Sequence, residues 1–142
     1  MQDTLHHLEP LDKALDICNK ALKSTGKLIA VEENGNNLIQ SLKLYLQRGN
    51  KRIIEIYDET FKKNIVIGNE NIRSLKQWNQ EFSAQGLKID TANLQYIRLY
   101  PPPVFNWKKY DTALQSEQRL WKNNSVLKEY FFFGINFTAS KN

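Results

Sequence analysis

Lys27-Leu28-Ile29-Ala30-Val31-Glu32-Glu33, followed by Asn34-Gly35, is the stretch whose reading decides the fold. Leu28 to Val31 form an unbroken apolar run. A strand with one wet face alternates apolar and polar residues, whereas a continuous run predicts cover on both faces, as in a parallel α/β sheet. Glu32, Glu33 and Asn34 stand where that strand ends, and the carboxyl ends of such strands are where open α/β sheets bind ligands.

Upstream of this strand, Pro10 and Asp12 suit the first turn of a helix. Leu11, Ala14, Leu15, Cys18 and Leu22 recur at helical spacing, and Gly26 is the expected left-handed stop. Downstream, Asn36 or Asn37 caps a second helix. Its apolar face is Leu38, Ile39, Leu42, Tyr45 and Leu46, and its stop is Gly49. Arg52–Tyr57 and Asn64–Ile67 are rich in Ile, Val and Tyr and read as a hairpin joined by Asp58–Lys63. A helix over Lys51–Phe61 is the competing reading.

Gly68-Asn69-Glu70-Asn71 reads as a polar loop. Ser74 and Gln77 match a capping box, which starts a helix that buries Leu75, Trp78 and Phe82 and stops at Gly86. Leu87–Tyr100 reads as a strand with a break near Asn93, and Pro101-Pro102-Pro103 ends it. A helix over Asp111–Trp121, a turn at Asn123-Asn124-Ser125 and a strand over Tyr130–Ala139 close the chain. That last strand is expected to carry Phe131, Phe133, Ile135 and Phe137 on one face. Such alternation of helices and strands is the pattern of an α/β fold.

The 142 residues suffice for one domain with a real core. A hydrophobic fraction of 41% and a charged fraction of 25% are those of an ordinary globular chain. The net charge of +5 is spread along the sequence, which argues against a nucleic-acid partner. Cys18 is the only cysteine, so an internal disulfide and a cysteine-based zinc site are excluded. The start shows no signal-peptide pattern and no run approaches the ~20 residues of a membrane span, so the expected setting is cytoplasmic with no membrane partner.

Several stretches carry a resemblance. Asp3-Thr4-Leu5-His6-His7-Leu8 resembles the segment after the fourth strand of class I S-adenosylmethionine-dependent methyltransferases, where a Leu-His-His stretch opens the next helix. Ala21-Leu22-Lys23-Ser24-Thr25-Gly26-Lys27-Leu28 is similar to that family's Leu-Lys-Pro-Gly-Gly-Arg-Leu turn into its fifth strand, with Ser24-Thr25-Gly26 in place of Pro-Gly-Gly. Trp78, Phe82 and Gly86 match the helix before the sixth strand. Phe133-Gly134-Ile135-Asn136-Phe137 resembles the seventh strand, which in the family runs antiparallel between strands five and six.

The resemblance implies a partial Rossmann-like domain spanning residues 1–142. It implies a mixed sheet with an antiparallel last strand, helices on both faces and an inserted hairpin. It also implies S-adenosyl-L-methionine as methyl donor and an acceptor left unidentified. The family's Gly-rich turn after its first strand is missing, since only six glycines occur and no Gly-x-Gly. The chain therefore reads as a carboxyl-terminal half, inactive on its own, with a β edge open to a second copy or a partner chain.

The same resemblance puts Asp3, His6 and His7 near the donor. Glu33 and Asn34 at the strand end, with Asn69, Glu70, Asn71 and Arg73 in the polar loop, are the candidates for substrate contact; polar clusters in loops are disproportionately functional. Catalytic residues are not assigned. No metal is expected at His6, His7 and Glu9, because adjacent histidines in an extended loop point apart and one turn supplies too few ligands. Trp107-Lys108-Lys109-Tyr110 reads as a packed aromatic flap. The competing function is a non-catalytic interaction module that uses the open edge.

Overall fold

A computed structural model describes residues 1–49, 51, 54–67, 70–100, 110–123 and 125–142. The Pro101-Pro102-Pro103 exit, the Trp107-Lys108-Lys109 run, Asn69 and Asn124 lie outside the described residues. A 3-10 turn at Leu5–His7 precedes α1 (Leu11–Ala21), β1 (Lys27–Glu33) and α2 (Leu38–Arg48). Then come β2 (Ile54–Asp58), β3 (Lys63–Ile67), α3 (Leu75–Ala84) and β4 (Leu87–Ile97). Helices α4 (Tyr110–Asn123) and α5 (Ser125–Phe131) and strand β5 (Gly134–Lys141) finish the chain.

The main sheet has the order β1-β5-β4, with β5 antiparallel to both neighbours. β1 and β4 therefore run in the same direction, and the last strand sits between them as expected. The chain start adds to this sheet. Gln2 bridges Val31 in parallel, the Met1 ammonium donates to the Ile29 carbonyl at 2.7 Å, Val31 N–H donates to Met1 and Asp3 N–H to Val31. The outer edge of β1 is thus covered from Ile29 to Val31 rather than bare.

β2 and β3 form the expected hairpin as a separate two-stranded sheet, with Ile56 opposite Ile65, which rules out the helical reading of its described residues. The Asp58 carboxylate accepts from Thr60 and Phe61 N–H and so shapes the turn. β4 carries the break foreseen near Asn93: its register against β5 shifts between Asp90 and Gln95. Asp90 accepts there from Ala92 N–H and Asn93 Nδ2.

The core lies between the sheet and helices α1 and α3. Leu11, Leu15, Trp78, Phe82, Leu87, Ile89, Ile135 and Phe137 are buried in one cluster with Leu5 and Ala30. Phe82 meets Phe137 edge-on at 5.5 Å between ring centroids. α3 starts where its sequence requires, with the Ser74–Gln77 capping box closed in both directions.

Five expectations are corrected. β1 is not covered on both faces: Ala30 and Glu32 are buried while Ile29 is 57% exposed, because among the described residues no helix packs over that side of β1. On that side Lys27, Lys88, Asp90, Thr138 and Ser140 line an open polar cleft, so helices on both faces fail there. Gly26 is not left-handed. α1 stops earlier, as Leu22 turns extended, and among the described glycines only Gly49 and Gly86 have positive φ. The apolar face of α2 is not buried; Leu38, Ile39, Leu42, Tyr45 and Leu46 are all exposed. Finally, Phe131 ends α5 and Phe133 precedes β5, so the closing strand starts at Gly134 and the aromatic face is Ile135 and Phe137 alone. Helical spacing in Val126–Tyr130 is too short to separate from a strand by pattern.

Candidate functional site

The carboxyl ends of β1 and β4 and the chain start converge at one corner of the sheet. Its centre is Glu32, wholly buried. One of its carboxylate oxygens accepts from Thr4 N–H at 3.1 Å and from Leu5 N–H at 2.8 Å. The other accepts from His6 N–H at 3.4 Å and stands 2.6 Å from His6 Nδ1. A buried carboxylate is costly unless its oxygens are filled, and here one side chain fills them by folding the Leu5–His7 turn around itself. Burial opposes the charge on Glu32, but the His6 bond and the two backbone donors hold its carboxyl below the usual range. His6 responds in the opposite sense: burial alone would lower it, and the Glu32 bond with the nearby Glu33 and Glu70 charges raises it.

His7 is exposed, and its ring lies against that of His6, 4.0 Å between centroids at a 48° tilt. The 3-10 turn makes this contact, since successive side chains on a tight turn do not diverge as they do on a strand. Glu70 comes from the distant polar loop. Its Oε2 lies 3.9 Å from His6 Nε2, and its Oε1 accepts from Arg48 of α2 at 3.4 Å. Glu33 sits next to this group with its carboxyl pushed up by burial.

Asp3 receives a two-pronged bond from Arg98, at 2.9 and 2.8 Å. That guanidinium holds the Asp3 carboxyl below its ordinary value against the opposing effect of partial burial. Both residues occupy the left-handed region, φ 45° at Asp3 and φ 62° at Arg98. Backbone strain of this kind at non-glycine residues persists where surrounding bonds enforce it, and functional sites are where it collects.

The structure divides the remaining candidates. Asn34 commits both Nδ2 protons to the carbonyls of Glu129 and Phe132, which ties the end of β1 to α5. Asn71 donates through its backbone to the His6 carbonyl and through Nδ2 to Glu9. Arg73 binds the Asn71 carbonyl, pairs with Glu9 and Glu81, and lies over the Trp78 ring at 5.2 Å. Asn71 and Arg73 fasten the polar loop to the turn and the Glu9 that follows it. Gly35 completes the seam: its N–H donates to the Arg73 carbonyl, and a Cβ there would lie 2.5 Å from Arg73 and Ser74 backbone atoms.

Asp3, His6, His7, Glu33 and Glu70 are therefore gathered at one corner. Glu32, at the ligand-binding end of the strand in the sequence reading, joins them, as do Arg48 and Arg98, which were not singled out. Glu32 had a signal in its sequence, an acid at the end of an apolar run; Arg48 and Arg98 had none. The corner offers an imidazole backed by a buried carboxylate, a second imidazole, and three further carboxylates, of which Asp3 and Glu70 are paired with Arg98 and Arg48 and Glu33 is not.

Neither a family model nor a curated protein matches this sequence. Among solved structures, the fold is similar to a Listeria monocytogenes protein described as an S-adenosylmethionine-dependent methyltransferase, with a TM-score of 0.51 and 13% identity over 99% of this chain. It is also similar to Haemonchus contortus phosphoethanolamine N-methyltransferase 2 in complex with S-adenosyl-L-methionine, with a TM-score of 0.48 and 16% identity over 99% of this chain. The chain spans 59% of the first protein and 32% of the second. At these identities the Listeria likeness is one of fold: the chain has a methyltransferase-like fold. Among the described residues, no helix is long and apolar enough to cross a membrane.

Proposed function

We propose that this chain is the carboxyl-terminal part of a Rossmann-like methyltransferase domain that transfers a methyl group from S-adenosyl-L-methionine. The observation that carries this reading is the sheet, an antiparallel β5 between the co-directional β1 and β4 with the chain start laid parallel along β1. In this arrangement Met1–Asp3 take the place of the end of a fourth strand. The turn that follows, with Asp3, His6 and His7, faces the methionine end of the donor, and Glu33 and Glu70 face the acceptor. Methyl transfer depends mainly on aligning the two reactants, and a rigid turn built on buried Glu32 serves that need.

The edge of β1 beyond Ile29 is where the sheet of the complete domain continues, on the same chain or on a partner. Without that part, donor affinity falls to the millimolar range and turnover is absent. Amide chemical shifts of the chain with millimolar S-adenosylmethionine test the reading. Shifts confined to Asp3–His7 and Glu32–Asn34 are expected. Their absence, with S-adenosylhomocysteine equally silent, refutes donor contact at this corner and leaves the interaction-module reading.

A further inference from the structure

We propose that His6, His7 and Glu70 bind one divalent cation of the zinc type. The potential donor atoms of these three side chains all lie within 4.8 Å of one another. Two imidazoles and a carboxylate are the donor set of zinc sites that keep a fourth position open, and with no thiolate in the set it suits borderline divalent ions.

Both grounds for expecting no metal here change in three dimensions. The adjacent histidine rings lie against each other at a tilt rather than diverge, and the third donor comes from a loop more than sixty residues away. Donors about 2.1 Å from a common zinc ion stand about 3.4 Å apart in tetrahedral geometry, so ligation draws the three together by roughly an ångström. The exposed His7 ring can supply most of that movement.

What lies behind the donors points the same way. Glu32 holds His6 Nδ1 at 2.6 Å, which directs Nε2 towards Glu70. A carboxylate behind a histidine on the side away from the metal is the usual way in which such a ligand is oriented. Arg48 likewise occupies Oε1 of Glu70 and leaves Oε2, the oxygen nearest His6, for the ion. Glu32 and Arg48 are positioning residues here. The open position would take water or an oxygen or nitrogen of a bound molecule. Metal binding draws on the same His6, His7 and Glu70 that the proposed function sets beside donor and acceptor, and its titration needs no methyl transfer.

The test is titration of the full chain with Co2+ alone, then displacement by Zn2+, in a Cys18→Ser background that removes the lone thiol. One equivalent with a tetrahedral-type visible spectrum is expected, and Zn2+ in excess raises the melting temperature. His7→Ala removes an exposed ring that lies against His6, and its circular dichroism checks that the fold is kept; it and Glu70→Gln each weaken binding by about tenfold or more. Glu32→Gln weakens it by about 10- to 100-fold and shifts the Co2+ spectrum, which a purely structural role would not do. Sub-stoichiometric binding overturns the proposal. So does His7→Ala or Glu70→Gln with unchanged affinity, the result expected if His6 merely carries a proton between Glu32 and Glu70.

Discussion

Helices α3 and α2 both place apolar side chains at helical spacing, yet only α3 buries them. Trp78 and Phe82 of α3 are fully enclosed against β5 and β4. Leu38, Ile39, Leu42, Tyr45 and Leu46 of α2 stay in solvent, Leu46 at 74% exposure. Both helices are capped at the N-terminus, α3 by the reciprocal Ser74–Gln77 box and α2 by Asn37, whose side chain accepts from Gln40 N–H at 2.7 Å. Amphipathic spacing states which face of a helix is apolar. Whether that face is covered depends on an opposing surface, which α3 has in the sheet and α2 lacks among the described residues.

The largest expected effect tests the covered side. Trp78→Ala should cost about 3–5 kcal/mol, read as a fall in the denaturation midpoint, because it opens a cavity under Phe82 and Phe137. A loss under about 1 kcal/mol would mean that the α3 face is as loosely held as that of α2.

A smaller effect lies where the chain start joins β4. Arg98 holds the Asp3 carboxyl below the usual carboxylate range, so its contribution is fully present above an ordinary aspartate's value of about 3.9 and lost as pH falls through the depressed value. Both side chains are partly solvated, which limits the pair to under about 1 kcal/mol. Stability curves of the parent and Asp3→Asn should therefore differ at neutral pH and merge in acid. Curves that stay apart in acid would show that Asp3 acts through something other than its charge.

The smallest expected effect concerns α2. Leu42→Ser with Leu46→Ser should change the stability of the isolated chain by no more than about 0.5 kcal/mol per site, as exposed positions do, while reducing binding of a hydrophobic dye. A large loss of stability would show that the α2 face is covered in solution, and the contrast with α3 would fall.

Local signals in the sequence were sufficient where a few neighbouring residues settle the matter. The capping box at Ser74–Gln77, the hairpin and the irregularity near Asn93 all depend on interactions within a short span. The end of the chain was misread for the converse reason: the seven residues of α5 are too few for periodicity to distinguish a helix from the aromatic strand that follows. At the candidate corner, His6, His7, Glu33 and Glu70 could be picked out by type and loop position. Arg98 and Arg48 could not, because their partners lie far off in sequence.

By itself the sequence determined the α/β class, the central place of the last strand through its resemblance, and the polar character of the end of β1. Tertiary structure alone decided that β1 is covered on one face only, that α2 faces solvent, and that Glu32 organises the Leu5–His7 turn beside Glu70. The physical reason is range. Propensity, capping and periodicity act over a few residues and are written in order along the chain. Burial and the pairing of charges depend on which distant surfaces meet, and that is fixed only once the sheet has assembled.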